Sequence, residues 1–124
     1  MSALRPELEA MIERLPGAVA ACLMGFDGIP VETLEAVSLD EQGLDLGSLW
    51  VELSSVAAQI QRTGEVFATG PVEELTVRTE RLTTVLRPIS AEYFVALSMF
   101  PWASGAKGRY LLRVHGSRLV EAIA

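Results

Sequence analysis

The sequence predicts an α+β fold, a five-stranded antiparallel sheet with helices packed on it, in the order α-β-β-α-β-β-β-α. Three observations lead there. Segment 18–25, AVAACLMG, is apolar throughout and bounded by turn residues, the mark of a strand covered on both faces. Residues 73–100 break into three strand-like runs, 73–79, 82–89 and 93–100, joined by links too short for crossover helices. Segments 4–15, 46–63 and 107–123 carry apolar residues at helical spacing.

In the first helix, Leu4, Leu8, Met11, Ile12 and Leu15 form one apolar stripe. Pro6 suits its first turn, and Pro16-Gly17 stops it. After strand 18–25, Phe26-Asp27-Gly28 signals a hairpin, because Asp-Gly supplies the positive φ of a tight turn. Segment 29–35 alternates, and Pro30 makes it an edge strand, since proline cannot donate to a ladder. Residues 36–45 read as a polar loop. Asp45 caps the second helix, 46–63, and Gly64 is placed to end it. Leu46, Leu49, Trp50, Leu53, Val56, Ala57 and Ile60 make its apolar stripe broad. Of the last three strands, YFVALSMF is the most apolar and should be central. Loop 101–106 leads to the last helix, with Leu112, Leu119 and Ile123 inward. There Gly116 costs about 1 kcal/mol relative to Ala.

The length, 124 residues, fits one domain, 1–124. Half the residues are apolar, which excludes intrinsic disorder. No apolar run approaches the ~18 residues of a membrane span. The N-terminal run mixes charge with apolar residues, unlike a signal peptide or anchor, so no membrane insertion is expected. A mean hydropathy of +0.34 is high for a soluble chain and points to a buried oligomer interface. The lone Cys22 excludes an internal disulfide and fits a reducing, cytoplasmic compartment. A net charge of −6 argues against nucleic acid. The charge is uneven: residues 1–45 hold nine acids and two bases. Nine of the ten basic residues are arginine, in keeping with a GC-rich bacterial genome.

No catalytic constellation assembles. His115 is the only histidine and borders an inward helix stripe. Cys22 sits mid-strand among apolar residues, where a thiol is inert. No metal motif, phosphate-binding loop or cofactor signature is present. The adjacent acids Asp40-Glu41 and Glu73-Glu74 read as solvated surface charge. Three features suggest binding instead. Phe26, Asp27 and Ile29 crowd a hairpin tip, where Phe26 either turns outward as an anchor or folds back under the sheet. Ser54, Ser55, Ala57 and Ala58 give the second helix small side chains that admit a partner helix. Trp102, in the loop PWASGA, is either a lid on the core or an exposed binding residue, and the lid is the favoured reading.

The order of elements, with three motifs, resembles the roadblock family of dynein-light-chain-type domains over nearly the whole chain. The motifs are Leu15-Pro16-Gly17-Ala18-Val19, Phe26-Asp27-Gly28-Ile29-Pro30-Val31, and Gly105 to Ile123 with Gly108, Arg109, Leu111, Leu112 and Arg113. Phe26 departs from the polar residue usual there, which suits a contact particular to this member. The resemblance implies a homodimer in which the long helix and adjacent edge strand of two copies pair. That would place Trp50, Leu53, Ser54, Ala57, Ala58 and Gln61 at the helix seam, and Leu75, Thr76 and Val77, continuing to Thr79, at the paired edge. It further implies a bacterial Ras-like small-GTPase system of cell polarity and gliding motility. The chain would act there as a non-enzymatic adaptor, binding a roadblock paralogue through Phe26, Asp27 and Ile29, with the GTPase itself as a further partner. The alternatives are a direct GTPase activator, for which Arg78, Arg81 and Arg87 make poor arginine fingers, and a small-ligand sensor with a profilin-like or PAS-like sheet.

Overall fold

The computed structural model describes residues 3–123, so residues 1, 2 and 124 of the expected domain lie outside the described residues. Five strands form one antiparallel sheet: β1 (Ala18–Gly25), β2 (Pro30–Glu35), β3 (Leu75–Arg78), β4 (Thr83–Pro88) and β5 (Tyr93–Met99). Their spatial order is β2-β1-β5-β4-β3, so the YFVALSMF strand is central and the Pro30 strand is an edge. In β5, Val95, Leu97 and Met99 face one side, and Phe94 and Ala96 the other. Period-two alternation thus feeds two cores from one strand.

Helices α1 (Leu4–Glu13) and α4 (Gly105–Ile123) cover the first face. Leu8, Met11, Leu111, Leu112 and Leu119 supply their contribution to that core. Helix α3 (Leu46–Val66) covers the second with Leu46, Trp50, Leu53 and Ala57. With helices on both sides, all eight residues of β1 are buried. Trp50 is the largest side chain of the α3 face, and its indole N–H donates to Ser98 Oγ at 3.1 Å. Ser98 also pairs with Thr84 Oγ1 at 2.8 Å, so the buried polar atoms under α3 satisfy one another.

Three expectations need correction. Residues 36–45 are not all loop: Leu39–Gln42 forms a helical turn, α2. Ser38 Oγ accepts from Glu41 N–H at 3.3 Å, and the turn closes at Gly43. A Ser-x-x-Glu cap was present in the sequence but lacked an apolar stripe behind it. Gly64 does not end α3, which continues to Val66. The helix stops in a Schellman arrangement, with Ala68 at φ 55 and Thr69 N–H donating to Gly64 O at 3.0 Å. Gly64 is needed for space: a Cβ there would stand 2.6 Å from the Gly70 carbonyl oxygen. Trp102 is no lid. It is 71% exposed, stacked on Phe100 with centroids 6.3 Å apart and resting against Gly17.

The two helix glycines separate cleanly by surroundings. Gly64→Ala should destabilise by about 1–3 kcal/mol, because rigid backbone occupies the new methyl's place. Gly116→Ala meets only ordinary contact with Ile89 Cγ2 at 3.5 Å and should stabilise by about 1 kcal/mol. Thermal unfolding checks both, with the melting temperature falling for the first and rising for the second.

Candidate protein-docking site

The β1–β2 hairpin tip is built by local hydrogen bonds. Gly25 N–H donates to Ile29 O at 3.0 Å, and Gly28 N–H donates to Gly25 O at 2.9 Å. Asp27 Oδ1 accepts from Ile29 N–H at 3.0 Å. Gly28 sits at φ +85, a conformation that disfavours a side chain. The turn thereby presents Asp27 outward and leaves Ile29 63% exposed. Phe26 is half-buried, its ring tilted against Phe94 at 5.1 Å between centroids. Its N–H donates to Glu92 O at 2.9 Å, tying the tip to the β4–β5 turn. The tip is therefore a preformed knob with one ring as root and Ile29 and Asp27 as its outer surface.

Beside this knob lies a cleft of about 640 Å³, lined by Phe26, Ala57, Ala58, Gln61, Pro88 and Ile89 among others. Gln61 Oε1 accepts from Val72 N–H at 2.7 Å, fastening the segment after α3 to the helix. On the far side of the turn, Ser90 Oγ accepts from the N–H groups of Glu92 and Tyr93, both at 3.1 Å.

The other residues singled out from the sequence fall in separate places. Trp50, Leu53 and Ala57 are buried against this chain's own sheet, Ser54 is buried with its hydroxyl donating to Val51 O, and Ala57, Ala58 and Gln61 line the cleft. On β3, Leu75 and Val77 are half-buried beneath α3 and Thr76 is exposed. Sequence reasoning assigned Val56 and Ile60 to the inward stripe, yet both are exposed on the flank of α3. At 100° per residue they lie to one side of the Trp50–Ala57 line, a signal present but masked by the breadth of the stripe.

The candidates for chemistry are engaged structurally. His115 is buried between α4 and α1, with Nδ1 on Glu7 Oε2 and Nε2 3.3 Å from Arg14 Nη1. The ring thus bridges the two helices. Arg81 donates to Gln42 O, and Arg87 Nη1 to Glu73 O at 3.4 Å. Among the described residues no group of His, Cys, Asp and Glu could hold a metal ion, and no helix is long and apolar enough to cross a membrane. Cys22 is buried, its Sγ 3.3 Å from Thr33 Oγ1, and burial pushes its thiol pKa up. At pH 8 the folded protein should therefore resist iodoacetamide and be alkylated only on unfolding, as read by mass spectrometry.

No family model matches the chain, and no curated protein matches it. Solved structures do. The chain is 36% identical to MglC from Myxococcus xanthus, covering 95% of this chain and 97% of that one with a TM-score of 0.66. The gliding protein MglB from Thermus thermophilus shares 17% identity over 98% of this chain and 92% of its own, with a TM-score of 0.79. A Roadblock/LC7 domain from Streptomyces avermitilis shares 14% identity over 94% of each chain, also at 0.79. The latter two show a common fold, and the first adds kinship in sequence along almost the entire length. Together with the sheet order and the Asp-Gly hairpin, they establish that this chain belongs to the roadblock family.

Proposed function

We propose that the chain is a homodimeric, non-catalytic adaptor in a bacterial small-GTPase system of cell polarity and motility. It docks another roadblock-family protein through the β1–β2 tip. The observation that carries the reading is the tip itself. An isoleucine is held 63% exposed beside the exposed Asp27, on a turn in which the N–H groups of Gly25, Phe26, Gly28 and Ile29 are all bonded. A rigid apolar anchor beside a charge is how a few residues dominate an interface. Little ordering entropy is lost when such a knob binds.

The two sheet edges support the dimer reading. The β2 edge is blunted: Pro30 has no N–H, and Arg5 Nη1 donates to Thr33 O at 3.3 Å and to Glu32 at 3.0 Å. The β3 edge carries no such cover among the described residues, and an open edge invites pairing. Val56 and Ile60 give α3 an exposed apolar flank for the same contact. In this arrangement the tip, carried on the opposite half of the sheet, stays free.

Calorimetric titration with an MglB-type roadblock protein of the same organism tests the docking. Ile29→Ala should weaken binding by about 1–3 kcal/mol while leaving the oligomeric state unchanged. Asp27→Asn keeps the oxygen that caps the turn and removes the charge, so any loss there belongs to the charge itself. Wild-type affinity in both variants would refute the tip as the docking site. Faster GTP hydrolysis when the chain alone is added to the cognate GTPase would support the activator reading instead.

A further inference from the structure

The cleft beside Phe26 is unused by the fold. Its floor is apolar, from Ala57, Ala58, Pro88 and Ile89, with the ring of Phe26 as one wall. Its walls are fastened to each other: Phe26 N–H to Glu92 O, Gln61 Oε1 to Val72 N–H, and Ile89 N–H to Tyr93 O at 3.0 Å. The cleft is thus preformed, and an occupant meets little ordering cost. Among the described residues lining it, the one charged side chain is Glu65, and Asp27 and Glu92 stand at the adjoining turns. An apolar floor under a negative rim selects against acidic occupants and for cationic ones.

We infer that this cleft receives the docked partner's own anchor: a large apolar side chain on a segment that carries Lys or Arg beside it. The inference rests on the docking reading above and names what that partner must bring. The tip and the cleft then act as knob and socket side by side, sharing Phe26 as their common wall. The partner is a polypeptide because Phe26 belongs both to the tip and to the cleft lining, so one segment can engage both.

The test is calorimetry with the MglB-type roadblock protein of the same organism, at low and high salt. Three variants probe the cleft without touching the tip. Ala58→Phe fills it, Glu65→Lys inverts its charge from an exposed helix position, and Ala91→Arg adds a cation from an exposed turn. Each should weaken binding about tenfold or more. Glu65→Lys and Ala91→Arg should also flatten the fall of affinity with salt. If Ala58→Phe does not fold, the two surface variants carry the test alone. Wild-type affinity and salt dependence in the cleft variants, with binding lost in Ile29→Ala, would overturn the socket and leave the docking reading standing. Wild-type affinity in Ile29→Ala as well, or no binding by the unaltered chain, would overturn both.

Discussion

The structure depends on one pair of strands, β1 and β5, from which water is excluded on both faces. β1 is buried at every residue, and only Tyr93 of β5 retains exposure. Strands so placed need cover above and below, because a single helix layer would leave Val95, Leu97 and Met99 or Phe94 and Ala96 in water. That requirement puts α1 and α4 on one side and α3 on the other. It also fixes the tip. Phe94 belongs to β5, and Phe26 leans on it, so the hairpin is anchored in the same core that holds the sheet.

The sheet is chemically lopsided. On the β2 side, a proline, an arginine and the acids Glu32 and Glu35 close the edge, and Glu35 Oε1 accepts from Leu39 N–H at 2.9 Å. The β3 side is four residues long and ends in Arg78, with the apolar flank of α3 above it. One edge suits self-association, and the opposite half carries the knob. A homodimer built that way would display two copies of the tip on rigid supports, which is what an adaptor requires.

Much of this was legible in the sequence, and the failures have physical causes. The uniform apolarity of 18–25, the Asp-Gly turn and Pro30 each name a backbone environment that few alternatives satisfy. The end of α3 was misread because Gly64 is a common stop signal, whereas here it makes room for the returning Gly70 carbonyl. Trp102 was misread because composition cannot tell a ring that covers a core from one that stacks on Phe100 at the surface. Phe26 and Ile29 stood out in the sequence because Phe and Ile are anomalous in a turn, and the structure places Ile29 at the surface and Phe26 half-buried. The cleft beside them did not, since it joins α3, the 71–72 segment and the β4–β5 turn, which only the folded chain brings together.

The most direct measurement is light scattering behind size exclusion, on the chain alone and mixed with the MglB-type roadblock protein. The account predicts a mass near twice 13.4 kDa alone and a larger complex in the mixture. A mass of one chain, with no complex formed, would contradict it.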